Sequence, residues 1–289
     1  QGSFNVRIIL LVLSGYTNIT KEMVQTGTQH NDARGKAVEG LSVELVEQSR
    51  SHLKHLRHVL ADIVSVVDGC DAAGIQSLCY DKCAMPVTAA LLKAIAARQR
   101  KDSHKHTLSM LIAKLLMWKH VETEESSSSD EDSDSDDEDK KKTTATDQWK
   151  LGPGSVKHVD ALLHDAIGSH LLEAIISCAP ADVPTNFLYK HTVGKLRELA
   201  LDRSANHVVQ RLIANAKDEA VYTFLFEQLE DSLEELVQRQ RAGILLHFAE
   251  SGSGMSAQLQ TRVVKAIAAV FGVTKTFDKT LLQHVLKLQ

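Results

Sequence analysis

The chain has 289 residues, of which 43% are apolar and 4% aromatic, and its 33 basic and 37 acidic residues give a net charge of -4. That length supports a sizeable core, but the longest apolar runs, such as Ile8 to Leu13, are far shorter than the roughly 20 residues that cross a bilayer. Cys70, Cys79, Cys83 and Cys178 are too few and too irregularly spaced for a disulfide scaffold, and they suit a reducing compartment.

In chain order, Gln1 is neither an initiator methionine nor the start of a signal peptide, so the sequence reads as a piece of a longer protein. Gly2 to Arg7 leads into an apolar run. Residues 17–40 then form a polar stretch without sustained periodicity, which reads as a loop. Leu53, Leu56, Val59, Leu60, Ile63 and Val67 follow the i, i+3, i+4 spacing of an amphipathic helix, and so do Leu108, Leu111, Ile112, Leu115 and Leu116. Between them, Pro86 stands where a helix can begin without losing a hydrogen bond.

Residues 122–139 hold 11 of the 37 acidic residues and no Lys or Arg, leaving the remainder of the chain at +7. With few apolar residues to offset the entropy of ordering, and with like charges repelling, residues 122–146 are expected to lack fixed structure and to tolerate deletion. Ser127, Ser128, Ser129, Ser133 and Ser135 each precede Asp or Glu by three residues, which suits an acid-directed kinase. Trp149 marks the return of order. Pro180 and Pro184 punctuate a boundary between helices, one helix is expected over Phe187 to Leu201, and Leu225, Leu229, Leu233, Leu236 and Val237 carry a further helical face.

One short pattern recurs: a small residue, two variable positions, two apolar positions, one variable position and more apolar residues. It occurs as Gly168-Ser-His-Leu-Leu-Glu173 and Ala205-Asn-His-Val-Val-Gln210, and with a half-kept apolar pair as Gly2-Ser-Phe-Asn-Val-Arg7. Weaker copies start at Ala84 and Gly243. Ser169 to Asn206 is 37 residues and Asn206 to Ile244 is 38, while Ser3 to Met85 and Met85 to Ser169 are 82 and 84, lengthened by the polar insertions. A period near 37 with two or three helices per unit predicts an all-α class and an α-solenoid architecture, in which each repeat buries its apolar face on its neighbours. The expected organisation is helical repeats over 1–118, an acidic Ser-rich insertion over 119–150 and further repeats over 151–289.

The variable positions lie at i, i+1 and i+4 of a helix, on one face. Parallel stacking lines one concave surface with them. Asn206 and Gln210 offer paired amide groups suited to the mixed edge of uracil, and Ser169 and Glu173 offer a hydroxyl and a carboxylate that accepts from guanine. Ser3 and Arg7, with Phe4 between, place a donor guanidinium opposite a base with acceptor edges, while His170 and His207 are placed to stack between bases.

At these residues the sequence resembles the Pumilio, or PUF, repeat family. Asn206-His207-x-x-Gln210 is similar to its uracil-type triplet, Ser169-His170-x-x-Glu173 to its guanine type and Ser3-Phe4-x-x-Arg7 to its cytosine type. The pattern is lost at Met85-Pro86-x-x-Ala89 and Ile244-Leu245-x-x-Phe248, whose apolar residues are not expected to read bases. Degenerate repeats, long insertions and an acidic tract most resemble the divergent nucleolar Pumilio-like proteins of the nucleolar protein nine family. That resemblance implies a non-catalytic RNA-binding protein acting on single-stranded precursor ribosomal RNA in small-subunit (18S) biogenesis, in the nucleolus, among pre-ribosomal particle proteins. It implies no cofactor, membrane or small-molecule substrate.

Other chemistries find little footing. Gly252-Ser-Gly254 with Ala257 loosely fits a dinucleotide loop but follows a helical segment where a strand is needed. Gly194-Lys195 is followed by Leu196 where a P-loop needs Ser or Thr. Cys79 and Cys83 are spaced to share a metal but lack the paired spacing of a zinc site. The alternative from another class is a helical-repeat scaffold whose concave face holds a protein.

Overall fold

A computed structural model describes residues 62–97, 102–120 and 149–272. The first copy of the repeat (Ser3, Phe4 and Arg7), the polar stretch 17–40, the acidic tract and the early positions Leu53 to Leu60 lie outside the described residues. After helical residues 62–69 come α1 (Ala72–Tyr80), α2 (Ala84–Ala97), α3 (Asp102–Leu115), β1 (Trp118–His120), β2 (Trp149–Leu151), α4 (Ser155–His164), α5 (Gly168–Cys178) and α6 (Asp182–Phe187). A π-helical turn (Leu188–Thr192) and α7 (Leu196–Leu201) lead to α8 (Ala205–Asn215) and α9 (Glu219–Leu229). A 3-10 turn (Glu230–Ser232), α10 (Leu233–Gln238), α11 (Gly243–Gly252) and α12 (Ala257–Val270) follow.

The four helices that carry the described copies of the pattern, α2, α5, α8 and α11, pack side by side in that order. Their direction follows from the contacts between repeats. Glu173 meets Arg211, His164 meets Asp202, Arg197 meets Glu235, and Ser256 meets Glu219, pairs separated by 38, 38, 38 and 37 residues. A constant separation is what translation by one repeat produces; antiparallel neighbours would give separations that change steadily along the chain. The array is therefore parallel and in register, an α-solenoid in which each inner helix buries side chains on both flanks. In α5, Leu171, Leu172, Ile175 and Ile176 are all buried, and in α8, Val208, Val209, Leu212 and Ile213.

The same device starts three of the four inner helices. The Asp81 carboxylate accepts from the backbone N–H groups of Cys83 and Ala84, that of Asp165 from Ile167 and Gly168, and that of Asp202 from Ser204 and Ala205. Each satisfies two orphan donors at a helix N-terminus. In the fourth repeat the position belongs to Gln240, which has no carboxylate and adopts a φ of 61°. Asp202→Ala is expected to cost about 1–2 kcal/mol and to lower the melting temperature, read by circular dichroism, because two buried-side donors lose their acceptor. Gly168 is required by closeness: a Cβ there would stand 3.1 Å from the Leu162 Cα and 2.6 Å from its side chain.

Two features depart from the sequence reading. Lys119 pairs with Lys150, and His120 with Trp149, in a short antiparallel ladder, so order extends into both ends of the expected insertion and two strands join an otherwise helical chain. The helix expected over Phe187 to Leu201 is broken. A π-helical turn widens the backbone at 188–192, where the Thr192 hydroxyl donates to the Leu188 carbonyl, and α7 starts anew after Gly194. Pro184, expected between helices, sits in the first turn of α6, where its missing N–H costs nothing.

The hairpin is fastened to the second half of the chain by buried aromatic groups. Trp118 Nε1 donates to His191 Nε2 at 2.9 Å, and Trp149 Nε1 to an Asp182 carboxylate oxygen at 3.1 Å. At the end of α3, the Leu115 and Leu116 carbonyls accept from His158 Nε2 and the Ser155 hydroxyl of α4. The segments on either side of the acidic tract thus share one core.

Candidate nucleic-acid interface

The polar triplets stand in the first turns of α5 and α8, placed in phase by the Asp165 and Asp202 caps. Their side chains are engaged with one another. Asn206 is only 2% exposed; its Nδ2 donates to the Asp202 and Arg203 carbonyls at 2.9 and 2.8 Å, and its Oδ1 accepts from Gln210 Nε2 at 2.9 Å. With both Asn206 amide hydrogens used on backbone, the groups left to meet a ligand belong to Gln210: its carbonyl oxygen and its second N–H. Gly243 of the next repeat holds that amide in place, since a Cβ there would lie 2.8 Å from Gln210 Oε1.

At α5, Ser169 is buried and Glu173 is half-buried. One carboxylate oxygen accepts from His170 Nδ1 at 2.9 Å, and the other lies 3.5 Å from Arg211 Nε of the next inner helix. Burial pulls the Glu173 carboxyl upward, but the His170 hydrogen bond and the positive charges of His170, His207 and Arg211 outweigh it and hold the group below the usual carboxylate range. In turn the hydrogen bond to Glu173 raises His170 against the effect of burial. Glu173 is therefore an ionised acceptor that bridges two repeats. A guanine edge would have to displace His170 or Arg211 from it. His207 is exposed beside them.

In the degenerate copies the corresponding positions point inward. Met85, Pro86 and Ala89 are buried, as are Ile244, Leu245 and Phe248, with the Phe248 ring edge-on to Tyr222 and Phe226. These positions hold core. In α11 it is Leu246 that is exposed.

The Arg211 bridge and the Asp81, Asp165 and Asp202 caps fall outside the sequence reading. A signal for the caps was present: Asp-x-x-small precedes the pattern three times, at Asp81-Lys-Cys-Ala84, Asp165-Ala-Ile-Gly168 and Asp202-Arg-Ser-Ala205.

Other site chemistries gain no geometry. Cys79 is buried, which pushes its thiol up to about 12, while Cys83 is exposed, so the two do not present paired thiolates. Among the described residues no group of three His, Cys, Asp or Glu side chains is arranged to hold a metal, and no helix is long and apolar enough to cross a membrane. Gly252 ends a helix, where a dinucleotide loop needs a strand, and Lys195 is occupied by an ion pair with Asp160.

The model of the NOP9-like PUF repeat domain matches residues 1–289. The chain belongs to this family. Among curated relatives, it is 28% identical over 116 residues to Pumilio homolog 23 of Arabidopsis thaliana, covering 40% of this chain and 15% of that protein. It is 24% identical over 251 residues to Nucleolar protein 9 of Emericella nidulans, covering 83% of this chain and 30% of that protein. The chain thus spans less than a third of either relative. Solved structures of APUM23 share the fold. The structure with GGAGUUGACGG superposes with a TM-score of 0.62 at 17% identity, covering 93% of this chain and 42% of that one. A form of APUM23 lacking its insert region, with GGAAUUGACGG, gives 0.58 at 16% identity, covering 93% and 39%. The NOP9-like PUF assignment accounts for the solenoid, the inner row of helices and the degenerate triplets together.

Proposed function

We propose that this chain is part of a non-catalytic protein that binds single-stranded RNA along its inner helices. Ser169, His170 and Glu173 take a guanine, Asn206, His207 and Gln210 take a uracil, and Ser3, Phe4 and Arg7 contribute a further position. The observation that carries this reading is the placement of two polar triplets on adjacent parallel helices, one repeat apart and in the same phase. The RNA complexes solved for APUM23 support it. Similarity to Nucleolar protein 9 supports precursor ribosomal RNA as the substrate, small-subunit biogenesis as the process, pre-ribosomal particle proteins as neighbours and the nucleolus as the location. The segment over residues 122–146, with its acidic tract, is a spacer in this reading, dispensable for the fold.

Fluorescence anisotropy with labelled GGAGUUGACGG and a scrambled RNA of the same length tests it. Preferential binding that weakens steeply as salt rises is expected, because phosphate contacts release counterions, with log K falling by about 0.7 per contact per decade of salt for single strands. Absence of binding to any RNA, with a protein partner held on the inner face instead, would establish the scaffold alternative.

A further inference from the structure

Three arginines among the described residues meet carboxylates, Arg211 with Glu173 among them. Arg197 meets Glu235, and Arg262 meets Glu227 and Glu230, so these charges are spent within the protein. Arg241 has no acidic partner among the described residues, and its Nε is buried without a hydrogen-bond acceptor. An arginine nitrogen removed from water and left unpaired is costly unless something else supplies the acceptor.

Its position says what that acceptor is next to. Arg241 follows Gln240, the counterpart of Asp202, just as Arg203 follows Asp202, so the two arginines hold the same place in successive repeats. Two residues later Gly243 abuts the amide of Gln210. Arg241 thus stands at the corner leading into α11, two residues before the glycine that abuts Gln210. Arg211 and His207 lie on the neighbouring α8 and His170 on α5, with Glu173 held between His170 and Arg211. Loss of solvent lowers the proton affinity of His207; Glu173 pulls it back up, while His170, Arg241 and Arg211 lower it further, as groups sharing one neighbourhood do.

We propose that Arg241, with His207 of α8, forms a phosphodiester-binding site on the inner face, seating the RNA backbone beside the base that meets Gln210. This rests on the RNA-binding reading above. Guanidinium groups suit phosphate because their forked donors match its oxygens, and a backbone contact at this corner would set the register of the base without reading its identity. The same place is occupied by Arg203 one repeat earlier, whose exposed side chain offers the next phosphate contact.

The test is Arg241→Met in the full chain, measured by anisotropy against GGAGUUGACGG and the scrambled RNA over a salt series. Affinity for both RNAs should fall by the same factor, about three- to tenfold, and the slope of log K against log salt should shrink by about 0.7. Arg241→Lys should recover most of the loss, since it keeps the charge, and it also shows that the corner still folds. A parent-like Arg241→Met or a loss confined to one RNA would each overturn the proposal while leaving the RNA-binding reading standing. A parent chain that binds no RNA would remove that reading and this proposal with it.

Discussion

Trp118→Ala is expected to destabilise the fold by about 3–5 kcal/mol, the range for removing a large buried aromatic side chain. Trp118 is 6% exposed, and its indole N–H is bonded to His191, itself buried in the π-helical turn beside Phe187. The substitution opens a cavity and strands a buried ring nitrogen, two costs that add. Because His191 Nε2 accepts that bond, the imidazole is neutral with its proton on Nδ1. Burial, reinforced by Lys195 and Lys190, brings its pKa down to about 4. The unfolded chain takes up this proton near pH 6.5, whereas the folded chain resists until about pH 4. The contribution is therefore complete above pH 6.5 and is lost as the pH falls towards 4, amounting to about 2 kcal/mol by pH 5. Chemical denaturation at pH 7 and pH 5 checks both statements. His191→Gln keeps an acceptor for Trp118 and should lose less stability between those pH values than the parent. Equal losses would show that His191 does not carry the proton linkage.

This hub also shows where the sequence stops being legible. The inner helices could be read because the small–polar–polar–apolar–apolar pattern reports both phase and burial, and the spacing of 37 and 38 residues reports stacking. Three-residue strands carry no periodicity, so β1 and β2 left only one trace: both tryptophans of the chain, Trp118 and Trp149, flank the acidic tract. The π-helical turn left none, since its apolar spacing over Leu188 to Leu199 continues that of an ordinary helix, and the break is made by packing around His191. At the site, the sequence indicates which residues share a face but not how they are engaged. Asn206 looks like a surface residue by type, yet it is buried because its amide caps the backbone at Asp202 and Arg203. Arg211 was hidden for a related reason: its partner Glu173 is one repeat away, and the bridge exists only once the helices are stacked in register.

That engagement sharpens what substitution of the uracil-type pair should do. Asn206→Ala with Gln210→Ala is expected to weaken binding to the preferred RNA by about 1–3 kcal/mol, or about 5- to 150-fold, with little change for unrelated RNA. The single variants should divide this effect unequally. Gln210 carries the free donor and acceptor, so Gln210→Ala should account for most of the lost binding. Asn206→Ala releases the Asp202 and Arg203 carbonyls and the Gln210 amide at once, so it should lower stability as well as binding. Replacing the pair by Ser and Glu should move the preference at that position from uracil towards guanine, since a carboxylate accepts from guanine and repels the carbonyl oxygens of uracil. The new carboxylate would also sit against Gly243, where the Gln210 amide packs. Anisotropy with RNAs varied one position at a time, alongside melting temperatures for each variant, separates the two effects. If the double variant keeps parent affinity for every RNA, the pair is a helix-capping network that contacts no base, and the inner face reads RNA elsewhere or holds a protein.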